Sequence, residues 1–192
     1  MSDQRSHTYQ SWRLEHDSLG DVPVPAERYW GAQTERARHR FQIGNDPIPL
    51  ELIHAIACLK RMAARTNHQL GVLDEQRCDW ISEAAQEVER GEWDGEFPLS
   101  CWQSGSGTQT NMNVNEVIAN RACELAGKPR GSREVVHPND HVNRSQSTND
   151  VFPCAIHLAA ERQQRQALLP ALRQLVNTCL LYTSDAADDW SS

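Results

Sequence analysis

Residues 151–180, VFPCAIHLAAERQQRQALLPALRQLVNTCL, keep a helical apolar period for thirty residues with no glycine and two prolines, Pro153 and Pro170. Such a run reads as the first long helix of an all-α domain. Pro153 is tolerable near a helix start. Pro170 predicts a kink or break, because it lacks an N–H and its ring crowds the preceding turn. Upstream, Pro47 and Pro49 precede a change to a 3.6-residue period. Leu52, Ile53, Ile56, Leu59 and Ala63 mark a helix that Gly71 can end. Cys78, Ile81, Ala84, Ala85 and Val88 mark a second, opened by Asp74 and stopped at Gly91. A third runs from about Asn111 to Ala126, carries Val114, Val117, Ile118, Ala122 and Leu125 inward, and is closed by Gly127. Residues 12–34 instead alternate apolar and polar positions around Gly20, Pro23 and Pro25, which predicts a short hairpin or extended arm. The expected fold class is mainly α. A small, mostly helical first domain with a short N-terminal hairpin (1–146) leads into the start of a long-helix bundle (147–180). Residues 181–192 abandon the Arg/Gln/Leu periodicity for an acidic, small-residue string, and are expected to be a non-native tail.

At 192 residues and 39% hydrophobic, the chain can bury a core. Its formal charge of −7 offers no basic field for nucleic acid or an anionic membrane. An anionic ligand must therefore be caught by local donors. The opening segment is polar and lacks an apolar core, and no 18-residue apolar run follows, which predicts a soluble cytoplasmic protein. Six cysteines stand singly at 58, 78, 101, 123, 154 and 179. They are expected to be small core-facing residues, not a disulfide framework or a metal site. No metal and no cofactor is expected.

Between Phe97 and the third helix lies SCWQSGSGTQTNMNVNE, where Ser104, Ser106 and Thr108 alternate with Gly105 and Gly107. Glycine lets a backbone approach a ligand, the hydroxyls are donors, and the following helix offers free N–H groups. The segment suits a carboxylate or phosphate. On spacing alone, an ordinary Gly/Ser turn capping a helix explains it equally well, and neither nucleotide-binding glycine fingerprint is present. A second cluster, HPNDHVNRSQSTND at 137–150, packs three Asn, two Ser, one Thr, two Asp and two His into fourteen residues. Asp150 can cap the next helix, and Ser147, Thr148 and Asn149 are also capping types. A simple Asx turn, however, uses only one or two such donors.

WGAQT at 30–34, WQSGSGTQTNMNVNE at 102–116, and HPND with VNRSQSTNDVFP at 137–153 together resemble the fumarase/aspartase superfamily. Trp30, Gln33, Trp102, Ser106 and His137 resemble the class II fumarase side, while Thr148 is more aspartase-like. The resemblance implies a lyase, a fumarate hydratase that reversibly hydrates fumarate to (S)-malate in the tricarboxylic acid cycle, assembled as a homotetramer of long-helix bundles. By the same resemblance, Ser106, Gly107, Thr108, Ser147, Thr148 and Asn149 hold the substrate. His137, Pro138, Asn139 and Asp140 form a second, peripheral dicarboxylate site. Glu134 stands where the family carries arginine, with Arg133 one place earlier, and a like charge there weakens dicarboxylate binding. His141 and His157 match no family role and are read as structural. The family's GRTHLQD-like and GSSxMPxKxN segments do not occur in the chain, so no catalytic residue is assigned here and the chain alone is expected to be inactive. The other readings are an aspartase-type ammonia lyase and a non-catalytic truncated subunit.

Overall fold

A computed structural model describes residues 11–188, with side chains through Tyr182. The polar opening, 1–10, and the end of the expected tail, 189–192, lie outside the described residues. Strands β1 (Trp12–Asp17) and β2 (Gly20–Pro25) pair antiparallel from Trp12↔Pro25 to Asp17↔Gly20. Val22 and Val24 face the core, and Leu14 and Leu19 face out.

The expected extended arm holds only to Pro25; Ala32–Arg40 form a helix, α1, that periodicity did not reveal. Its N-cap, Gly31, has no side chain to satisfy the first-turn amides. Those amides are capped from far along the chain. Glu116 accepts from Gly31 N–H at 2.9 Å, Gln33 N–H at 2.8 Å and Thr34 N–H at 3.0 Å, and Glu15 accepts from Ala32 N–H at 3.2 Å. Glu116 is fully enclosed, and burial, with the charge of Glu15 beside it, pushes its carboxyl above the usual range.

Helices α2 (Leu50–Gln69), α3 (Glu75–Glu89) and α4 (Thr108–Leu125) match the three expected helices. Asp74 caps α3 by accepting from Arg77 N–H at 2.9 Å. Ile53, Ile56, Ile81, Val88, Val114, Val117 and Ile118 form the centre of the core. Helix α4 runs through the middle and is buried on every side from Thr110 to Asn120, its asparagines and Glu116 included. Polar groups so enclosed must bond one another or neighbouring backbone, so α4 organises the interior through hydrogen bonds as well as packing.

Helix α5 (Thr148–Gln163) passes through a π-helical turn, Gln164–Leu168, into α6 (Leu169–Asp188). The break expected at Pro170 does not occur. The widened turn lies just ahead of the proline and absorbs both the missing N–H and the ring. Helical character also continues past 181 to Asp188. Leu168, Leu169, Leu172 and Leu175 lie exposed along this helix, whereas Leu158 packs partly against the core. Cys78 and Cys123 are buried, but Cys101, Cys154 and Cys179 are exposed, which corrects their expected core-facing placement. No helix among the described residues is long and apolar enough to cross a membrane.

Candidate functional site

The Gly-rich segment ends in a tight turn: Gly107 N–H donates to Ser104 O at 3.1 Å, and Asn111 N–H to Gly107 O at 3.0 Å. Gly107 is the N-cap of α4 at φ +69°, left-handed backbone that favours glycine. A side chain there would also collide with the Phe152 ring of α5. Ser106 and Thr108 hydroxyls lie 2.9 Å apart at the exposed mouth. No acidic side chain occupies the first turn of α4; the Thr110 N–H is capped by Gln103 Oε1 at 3.0 Å, which leaves the Thr108 and Gln109 amides at the helix end.

Ser147 is the N-cap of α5, yet its side chain caps no amide; Thr148 opens the helix and Asp150 lies within the first turn, so Asp150 is not the cap. Asn111 joins the two clusters by donating to Thr148 Oγ1 at 2.9 Å and Asn143 Oδ1 at 3.2 Å. The Ser106–Thr108 and Ser147–Asn149 segments are thus neighbours, each at a helix N-terminus, with Ser106, Thr108, Ser147 and Asn149 open to solvent. Two helix ends meeting this way gather hydroxyls and amides suited to a carboxylate, with the exposed Asp150 carboxylate in the first turn of α5 opposing the positive end of that helix.

Beneath this mouth lies a group the motifs did not reveal. Lys60 of α2 is fully buried and donates to Asn143 Oδ1 at 2.7 Å and Gln146 Oε1 at 3.0 Å. Burial brings its pKa down to about 7. Its signal is phase: Lys60 falls on the same face as Ile53, Ile56, Ala64 and Asn67, all buried. Asn111 and Asn143 carry no such signal, because their types suit any turn.

His137 is the N-cap of a π-helical turn, Pro138–Val142, that holds the rest of HPND. His137 Nδ1 accepts from the N–H groups of Asn139 and Asp140, both at 3.2 Å, with the Asp140 carboxylate 3.2 Å away. Burial lowers the His137 pKa, opposed by Asp140 and reinforced by Arg133. Pro138 is buried, while Asn139 and Asp140 are exposed. Arg133, at φ +54°, turns inward to pair with buried Glu15 at 3.3 Å, and Glu134 is exposed. His141 Nδ1 accepts from His137 N–H at 2.8 Å, a contact internal to the turn, and His157 is exposed. Among the described residues no group of three His, Cys, Asp or Glu side chains is arranged to hold a metal ion.

The chain is similar to known proteins over most of its length. The profile of a family described as Lyase matches residues 20–186. The chain is 60% identical over 164 residues to a fumarate hydratase class II of Thermosynechococcus vestitus, covering 85% of this chain and 35% of that protein. To the Thermus thermophilus fumarate hydratase class II it is 55% identical over 169 residues, 87% of this chain and 36% of the other. Among solved structures, class II fumarase from Schistosoma mansoni superposes with a TM-score of 0.84 at 48% identity, over 87% of this chain and 35% of that one. A fumarate lyase:delta crystallin structure from Brucella melitensis gives 0.79 at 42% identity, over 81% and 37%. The chain spans about a third of the length of these relatives, 35% of the first. Sequence and backbone agree over the same stretch, and the chain belongs to the lyase family.

Proposed function

We propose that this chain is the carboxylate-binding part of a class II fumarate hydratase, interconverting fumarate and (S)-malate in the tricarboxylic acid cycle. The observation that carries this reading is the junction of the two helix N-termini, edged by Ser106 and Thr108 on one side and Ser147, Thr148 and Asn149 on the other, and tied by Asn111. The proton next to a carboxylate is a very weak acid. Its removal succeeds only if the charge flows into that carboxylate as an aci-form dianion, which fixed donors stabilise by about 3 kcal/mol each. Uncharged donors also let the product leave. The groups that move the proton belong to the remaining two thirds of a relative's length. HPND at 137–140 is read as a second dicarboxylate site, and residues 147–180 as the start of a bundle. The exposed leucines of α6 support assembly as a homotetramer. A cytoplasmic location goes with this reading.

Two results are expected. The 192-residue chain alone shows no turnover of malate, followed by fumarate absorbance at high protein loading. Genuine turnover that survives removal of host fumarase would overturn the division of labour. A chimera in which this chain replaces the matching segment of the Thermosynechococcus vestitus relative supplies the other groups. In that chimera Thr108→Val keeps shape and deletes one charge-assisted hydrogen bond, costing roughly 1.5–3 kcal/mol. That corresponds to about a ten- to hundredfold loss of kcat/KM with circular dichroism unchanged. Full efficiency on malate with parental melting would reduce Thr108 to a helix cap. Release of ammonia from aspartate by the parent chimera would move the assignment to an ammonia lyase.

A further inference from the structure

We infer that Lys60 is the buried cation of the carboxylate cradle, a positioning residue that acts through Asn143 and Asn111 to hold Thr148 as a hydrogen-bond donor toward the bound carboxylate. The inference rests on the cradle reading above. An ammonium group removed from water with no anion beside it costs several kcal/mol, and a leucine or methionine would fill the same volume at no such cost. The acceptors Lys60 does meet are neutral amide oxygens, Asn143 Oδ1 and Gln146 Oε1.

What the lysine imposes is direction. It can only donate while charged, so Asn143 must turn its oxygen toward Nζ. That oxygen then gathers the amide hydrogens of Asn111 at 3.2 Å and Asn115 at 3.3 Å. Asn111 therefore presents its Nδ2 to Thr148 Oγ1 at 2.9 Å, and its own buried Oδ1 is left without a partner. With its oxygen already accepting, the Thr148 hydroxyl sends its hydrogen elsewhere, and at the mouth of the site that is toward a ligand. In a low-dielectric interior the positive charge itself, three hydrogen bonds from Thr148, also favours an anion in the cradle.

Other charged groups on the packed elements do not compete for the amino group. Glu89 of α3 is held by Arg61 and Arg162. Glu116 of α4 caps α1. Asp140 is exposed and lies beside His137 within their turn, His141 bonds the backbone there, and Asp150 of α5 contacts Cys154.

The chain contains two lysines, Lys60 and Lys128, so selective ¹³Cε-lysine labelling gives two signals, with exposed Lys128 as an internal reference. Titrating the intact chain with and without saturating fumarate reads Lys60 directly. Fumarate should raise the Lys60 midpoint by about one unit and bind about tenfold more tightly at pH 6 than at pH 8.5, the two being the same linkage. Lys60→Met should flatten that pH profile, and Lys60→Arg, which keeps the charge, should retain tight binding at pH 8.5. The parent titration needs no variant to fold. If fumarate perturbs the Thr108 and Thr148 signals but leaves the Lys60 midpoint unmoved, the lysine inference is wrong and the cradle stands. If fumarate perturbs neither threonine at any concentration, both fall together.

Discussion

Glu116→Ala is expected to lower the unfolding free energy by about 4–6 kcal/mol, since it strands three backbone donors, two buried and one half-buried, at about 1–3 kcal/mol each. Gly31, Gln33 and Thr34 lose their acceptor together, and α1 has no local cap to replace it. A loss of that size consumes much of the roughly 5–15 kcal/mol typical of a whole domain. Urea unfolding followed by circular dichroism measures it, with Glu116→Gln as comparison. The amide keeps one acceptor oxygen and should lose about half as much. An alanine variant within about 1 kcal/mol of the parent would mean that other groups satisfy α1 when the carboxylate is gone.

The second large effect is expected at Gly107. Alanine there pays roughly 1–2 kcal/mol for left-handed backbone, and its Cβ meets the Phe152 ring, so α4 and α5 must separate at the site. Together these should cost about 2–4 kcal/mol and abolish detectable fumarate binding by the chain. Gly105→Ala is the control. A Cβ at Gly105 meets nothing within 4 Å and its backbone is not left-handed, so stability should change by less than about 1 kcal/mol. Phe152→Ala should recover part of the Gly107→Ala loss. If the loss is the same with and without the ring, steric contact between the helices is not its cause.

The parts of this fold legible in the sequence are those whose signals are local. Helices α2 and α3 announce themselves because Pro49, Asp74 and the glycines at 71 and 91 punctuate a clean apolar period. Helix α4 begins earlier than its apolar residues suggest, at Thr108, since the Gly107 cap lies inside a run that reads equally well as loop. Helix α1 was invisible because its capping carboxylate lies 85 residues from Gly31. In the site, hydroxyls and glycines were readable from their alternation. The asparagines that bind the two halves were not, because an amide in a turn and an amide in a buried network look alike until the chain closes on itself. Lys60 was readable in principle, as a charged residue occupying an apolar phase of α2.

The π-helical turn at Gln164–Leu168 has a consequence for how this helix tolerates changes of length. Such a turn carries one residue more than the α-turn it replaces, and each residue of an α-helix advances the side-chain direction by about 100°. Deleting a residue within it would restore regular helix without breaking the rod. Because the wide turn spreads one rotation over that extra residue, its removal would leave the azimuth of everything from Leu169 onward nearly unchanged, Leu172 and Leu175 included, while Val151 and Ala155 stayed seated in the core. Length and facing are therefore decoupled at this one place, where a single codon could be lost with the outer half of the helix still turned the same way.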